Sequence, residues 1–301
     1  MELVLNKFEI KKQIFEMRNI NLEFETGNFH LIIGENGAGK TQLLNGISRI
    51  NQNTSGELYF DGKLLTNRTE KEYFKKMNFV SAHSRTLFED LTGMENCMFF
   101  SKLYKLSTKE SNQKILHLAD IFQLSHDLDK KVANYSNGML QRLHFIRAFL
   151  NSPEILFLDE PATGLDVYQS TLFYKYLKSE VENRNMSVIC IAHDLTSIEH
   201  YIDSVCLVKD SKIRWKKDIR SLRKEYPEKC LYVDLESIYF ENFREILSKT
   251  NVQWYEETPD NSLYTRVVFK DKWNGKMDYI IKKAEKKTTL KDIFIFENQK
   301  R

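Results

Sequence analysis

The run Gly34-Glu35-Asn36-Gly37-Ala38-Gly39-Lys40-Thr41 fits G-x-x-x-x-G-K-[ST]. That pattern works only between a strand and a helix. Leu31-Ile32-Ile33 reads as the buried strand, and Thr41-Gln42-Leu43-Leu44-Asn45-Gly46-Ile47 as the helix. Glycines let the backbone curl until successive N–H groups face a polyphosphate, and the new helix adds its positive end. Lys40 then reaches the β- and γ-phosphates, and the Thr41 hydroxyl ligates Mg²⁺. The bland alternative is a glycine-rich turn with a chance lysine. Three glycines, the Lys-Thr pair and the strand–loop–helix frame argue together against it. The stretch from Gly34 to Gln42 predicts a nucleoside-triphosphate site.

At 301 residues, 42% hydrophobic and 29% charged, the chain can bury the core of one large domain or two moderate ones. A net charge of +3 is too small to argue for nucleic acid, and none is expected. No apolar run approaches the ~18 residues of a membrane span. The start, Met1-Glu2-Leu3-Val4-Leu5, lacks an export signal. Cys97, Cys190, Cys206 and Cys230 lie far apart with no C-x-x-C pair. Neither a zinc site nor a disulfide framework follows, and a reducing cytoplasm fits. Cys190 and Cys206 sit in apolar runs and read as core.

Residues 3–10 and 14–24 alternate as antiparallel strands, and 57–65 form a hairpin about Asp61-Gly62. From Leu91 to about Asn134 the periodicity is helical, and Asn137–Leu150 continues it. This block, about 84–150, reads as a helical subdomain inserted in an α/β core. Ile155–Leu158, Val188–Ala192 and Ser204–Val208 are runs buried on both faces, alternating with helices, which predicts a mostly parallel sheet. Beyond a boundary near Pro227 a small α+β domain is expected over 226–301, with 277–286 as a helix. The basic runs 214–217 and 282–287 read as solvated helix faces, with anionic lipid as the alternative. Trp254 and Trp273 read as core rather than ligand-stacking residues.

Asp159-Glu160 ends the apolar strand 155–158, and Pro161 stops it there. Carboxylates at the carboxyl end of a buried strand lie beside the phosphate loop in doubly wound sheets. Asp159 is read as the Mg²⁺ partner, and Glu160 as the base for the attacking water. Ser136-Asn137-Gly138-Met139-Leu140-Gln141-Arg142, Gly164-Leu165-Asp166 and Ala192-His193-Asp194 complete an ordered series.

In order and spacing, residues 1–225 resemble the ATP-binding-cassette ATPases, closest in look to subunits of bacterial exporters whose permease is a separate chain. The resemblance implies a P-loop NTPase core with an antiparallel β subdomain and an inserted helical subdomain. It implies ATP and Mg²⁺ as ligands, and a second cassette, in a homo- or heterodimer, that shares two ATP molecules. Ser136 and Gly138 match the signature segment facing the partner's γ-phosphate; Ser136 also suits an N-cap, and both roles can hold together. Asp166 matches an acidic residue that communicates across the dimer, and His193 one that positions Glu160 and water. The chain is expected at the inner face of the cell membrane, held through its permease, with the patch 87–104 as a surface for a cytoplasmic permease helix. The 288–294 segment is similar to one that closes the small extension of exporter cassettes.

Three departures stand out. His83 occupies or adjoins the place of the family's glutamine. The signature reads Tyr135-Ser136-Asn137-Gly138-Met139, with Asn137 able to keep a left-handed turn. The aromatic that stacks on adenine is Phe15, or is replaced by Lys12. Two other classes stay open: a non-transport cassette ATPase acting on nucleic acid or ribosomes, and a weakly hydrolysing regulatory module. One phosphate loop and a short insert argue against the first; Lys40, Asp159, Glu160 and His193 argue against the second.

Overall fold

The computed structural model describes residues 2–12, 15–51, 53–82, 86–236, 240–250, 252–257, 264–270 and 280–299. The chain divides into two compact units, Met1–Lys217 and Asp218–Arg301. In chain order the first unit holds β1 (Leu3–Lys12), β2 (Phe15–Phe24), β3 (Phe29–Ile33), α1 (Lys40–Ile47), β4 (Thr54–Phe60), β5 (Lys63–Leu64), α2 (Glu70–Lys76) and β6 (Met77–Ser81). It continues with α3 (Gly93–Leu103), α4 (Thr108–Ile121), α5 (Asn137–Phe149), β7 (Ile155–Asp159), α6 (Val167–Arg184), β8 (Ser187–Ile191), α7 (Leu195–Ile198), β9 (Ser204–Lys209) and β10 (Lys212–Asp218). The second unit holds α8 (Ile219–Lys224), β11 (Lys229–Glu236), α9 (Phe240–Ser248), β12 (Trp254–Glu257), β13 (Tyr264–Phe269), β14 (Ile280–Lys287) and α10 (Leu290–Gln299).

Apolar runs without alternation make the central sheet. β3, β7 and β8 are buried at every position, as strands covered on both faces must be. The order is β10-β9-β3-β8-β7-β6, with β3 parallel to β8 and β9, and β7 parallel to β6 and β8. β8 therefore lies between β3 and β7, and the carboxyl ends of all three open on one edge. The alternating stretches form a separate antiparallel sheet, β2-β1-β4-β5, whose inward residues Leu3, Leu5, Phe8 and Ile10 join one apolar cluster with Leu43, Leu44 and Ile47 of α1. Asp61 and Gly62 both take positive φ in its tight turn, as a two-residue hairpin needs.

In the helical block, α3 and α4 each begin with a capping box, Thr92 with Glu95 and Ser107 with Glu110. Behind them Phe145 of α5 stacks on Phe173 of α6, with Phe122 and Phe149 alongside.

The basic run at 214–217 is not a helix face but part of β10, the edge of the central sheet. Asp210 and Ser211, both at positive φ, turn β9 into it. Lys216 is largely buried there, ion-paired to Glu25 with its ammonium above the Phe24 ring. In the second unit the expected helix at 277–286 is overturned where described: residues 280–287 are β14, paired antiparallel with β11 from Lys229↔Lys287 to Tyr232↔Ala284. Met277, Ile280, Ile281 and Ala284 fall at helical spacing in the sequence, but pairing with β11 overrides that local pattern, and at a sheet edge lysines discourage further pairing. The order there is β12-β13-β11-β14, over a cluster of Val233, Phe243, Leu247, Val267 and Phe269 against which Trp254 packs. Trp273, the 258–261 turn and residues 277–279 lie outside the described residues. All four cysteines are buried, and none forms a disulfide among the described residues.

Candidate functional site

The end of β3 delivers the glycine loop. Gly37 and Gly39 sit at φ +80° and +103°, which a side chain would strain. Gly39 is also the N-cap of α1 and offers no side chain to its first N–H groups, so they stay available to an outside acceptor. Glu35, Asn36 and Gly37 are exposed, while Ala38, Gly39 and Lys40 are buried. Lys40 Nζ donates to the carbonyls of Gly34 (2.8 Å) and Glu35 (2.9 Å). The ammonium is thus folded over the loop that surrounds it. Burial lowers its pKa from the ordinary range, and the Glu160 and Asp159 carboxylates pull it back up. Their field at Lys40 ties the end of β7 to the loop.

Thr41 Oγ1 donates to Asp159 Oδ1 at 3.4 Å. His193 Nε2, just past β8, lies 2.8 Å from Glu160 Oε1. Lys40, Thr41, Asp159, Glu160 and His193 are therefore drawn together by three neighbouring strands. Gln42 follows on α1, its Oε1 shut from solvent with no hydrogen-bond partner among the described residues.

Ser136, Gly138 and Asp166 form a second group. Ser136 caps α5, accepting from Met139 N at 3.3 Å. A Cβ on Gly138 would lie 3.0 Å from Gly164 O, a tight contact that glycine avoids where this turn rests on the 161–166 loop. Asp166 caps α6 through Gln169 N at 2.7 Å. Asn137 is the first helical residue of α5 and lacks the left-handed backbone expected of it; the turn is completed by the Ser136 cap instead.

Of the departures, His83 lies outside the described residues. The Phe15 ring meets the phosphate loop: a Cβ on Gly39 would stand 2.5 Å from Phe15 Cζ. Lys12 is exposed. Sequence reading overlooks Gln141, which is 3% exposed and whose Nε2 donates to Pro161 O at 2.8 Å. Its helical spacing from Asn137 and Gly138, which shows it shares their face, was the available signal.

Among the described residues no three His, Cys, Asp or Glu gather into a metal cage. Thr41 and Asp159 offer two oxygens, a set that suits a small hard cation completing its octahedron with phosphate oxygens and water. The loop's backbone cradle suits the triphosphate, so the residues fit Mg²⁺–ATP.

A strand–loop–helix phosphate cradle with strand-end carboxylates beside it defines a P-loop nucleotide hydrolase. A model of the "ABC transporter" family matches residues 17–163. The chain is similar to the ABC transporter ATP-binding protein NatA of Bacillus subtilis, 27% identical over 217 residues covering 72% of this chain and 87% of that one. It is similar to the "Putative hemin import ATP-binding protein HrtA" of Staphylococcus haemolyticus, 33% identical over 202 residues, covering 65% and 90%. In fold it matches the dimeric ATP-binding cassette MJ0796 bound to ADP and Pi, with TM-score 0.64, 24% identity and 72% and 99% coverage. The chain belongs to the ATP-binding subunits of the ABC transporter family, and it is an ATPase that uses ATP with Mg²⁺.

Proposed function

We propose that this subunit powers a separate membrane permease, paired with a second cassette in a homo- or heterodimer. The meeting of Lys40, Thr41, Asp159, Glu160 and His193 at one strand edge carries the reading. Loop N–H groups and Lys40 neutralise the β- and γ-phosphates. Thr41 and Asp159 hold Mg²⁺, which when bound adds charge neutralisation at the phosphate oxygens. Glu160 takes a proton from water as the water oxygen bonds the γ-phosphorus in line. The bond to the bridging oxygen breaks, and ADP leaves with that electron pair. His193 Nε2 holds the Glu160 carboxylate in the orientation the proton transfer needs. Ser136 and Gly138 face the partner's γ-phosphate, Asp166 faces across the dimer, and Phe15 stacks on the nucleotide's base.

The test is phosphate release by the purified chain with Mg²⁺ and ATP. Glu160→Gln should cut it by about 10²-fold or more while ATP binding persists. Release at the wild-type rate would sink the assignment, and silence from wild type, alone or with its membrane partner, would favour a regulatory module.

No helix among the described residues is long and apolar enough to cross a membrane. An exposed aromatic cluster supports attachment to a partner that does: Phe88 packs edge-on to Phe99 at 4.9 Å, Phe99 to Phe100 at 5.3 Å, and Leu103 lies open beyond. Such a patch fits an amphipathic permease helix on the cytoplasmic face. Export is the direction we carry, supported by the resemblance to exporter cassettes and the small second unit. An integral-membrane protein should co-purify with the chain from detergent-solubilised membranes. Phe99→Asp should lose that companion and keep basal hydrolysis; full retention would remove the patch from the interface.

A further inference from the structure

Glu160 holds a backbone that its residue type disfavours, with φ +53°. A non-glycine residue stays in that left-handed region only when its surroundings hold it there. Three hydrogen bonds do so, two of the main chain and one from a side chain. Before the turn, Glu160 N–H donates to Ile191 O at 2.9 Å, anchoring it to the last residue of β8. After it, the Pro161 carbonyl accepts from Gln141 Nε2 at 2.8 Å. The third is Thr163 N–H to Glu160 O at 3.2 Å, and neither main-chain bond is removed by a side-chain substitution. The bond to the Pro161 carbonyl depends on one side chain, buried in α5 at 3% exposure.

That helix is itself firmly set. Ser136 caps its start, Gly138 rests against Gly164, and Arg142 donates to the carbonyls of Gly138 (3.3 Å) and Gln123 (2.6 Å). A fixed donor on a fixed helix is what a strained turn requires. Without it the 160–161 peptide can relax toward ordinary angles, swinging the Glu160 carboxylate from His193 and from the water it serves.

We propose that Gln141 is a positioning residue for Glu160, holding the turn that aims the carboxylate. The proposal rests on the reading of Glu160 as the base. Gln141 is buried with its amide on Pro161 and is not among the residues assigned to nucleotide contact, so its removal should leave ATP affinity alone and act only through Glu160.

The experiment is a double-mutant cycle on the full chain, reading kcat and KM for ATP from phosphate release. Gln141→Leu removes the donor at similar volume; Gln141→Met, unbranched like glutamine, serves should the leucine variant fold poorly. Alone, each should lower kcat by about 10- to 100-fold, as a misplaced catalytic group does, with KM within about twofold of wild type. In a Glu160→Gln background the same change should leave the residual rate unaltered, because there is no base left to aim. A Gln141 variant with wild-type kcat, beside a Glu160→Gln that is inactive, overturns this inference alone. An equal loss in both backgrounds, or a rise in KM, makes Gln141 merely structural and overturns it too. A Glu160→Gln enzyme at the wild-type rate overturns the reading of Glu160, and this inference with it.

Discussion

His30 lies within the central sheet and His193 just past one of its strands, and their surroundings give them different chemistry. His193 follows β8 at a half-exposed edge and meets a carboxylate. His30 is wholly buried in β3: Nε2 donates to Glu25 O at 2.8 Å, so Nδ1 accepts from Ser204 Oγ at 2.6 Å. Burial pushes its pKa from 6.5 down to about 4, with Lys216 adding to the fall and the Glu25 and Asp203 carboxylates opposing it. The folded state therefore holds His30 neutral where the unfolded chain protonates it. Its stabilising effect is full above the unfolded value near 6.5 and is lost as pH falls through about 4. The whole span is worth about 3 kcal/mol. Urea midpoints between pH 6.5 and 4.5 should fall less steeply in His30→Gln than in wild type; parallel curves would remove His30 from the acid response.

At the scale of elements, legibility follows how local the cause is. β3, β7 and β8 are plain in the sequence because each is a short apolar run with a clear stop: Gly34 after β3, Asp159-Glu160 at β7 and Ala192-His193-Asp194 after β8. The phosphate loop and Asp159-Glu160 are legible for the same reason. Their strand order is not: nothing near His193 says that β8 inserts between β3 and β7, yet that insertion brings His193 to Glu160. β10 and β14 hide for a related reason. Each is lysine-rich with two large apolar residues, Ile213 and Trp215 in β10 and Ile280 and Ile281 in β14, and takes its form from a neighbouring strand; for β14 that partner is β11, through pairs such as Tyr232↔Ala284. So few apolar residues leave a periodicity argument little to decide between helix and strand. Gln141 belongs with these cases, since its partner Pro161 is twenty residues away across a packed interface. The Ser136 cap was readable from residue type alone, while the contact of Gly138 with Gly164 emerges only once α5 is set against the loop.

At the scale of the molecule, the division falls at Lys217, ahead of the Pro227 boundary read from sequence, so that α8 goes with the second unit. Each unit has its own apolar centre. The first gathers the antiparallel sheet, α1 and the central strands; the second gathers β11, β13 and α9. The second also has its own polar core, where the Tyr255 hydroxyl and Lys286 meet the buried Asp292 carboxylate. Every residue assigned to nucleotide chemistry lies within Met1–Lys217. A unit that owns its core and its site should not need the other in order to hydrolyse ATP. The second is longer than the roughly 55–65 residues at which domains fold alone. We therefore expect a chain of residues 1–217 to release phosphate within about threefold of the full protein, a margin of under 1 kcal/mol in barrier. Residues 218–301 should melt cooperatively by circular dichroism on their own. A 1–217 chain that is folded yet inactive would mean that the second unit completes the site, and a 218–301 chain without a melting transition would mean that it is not a domain.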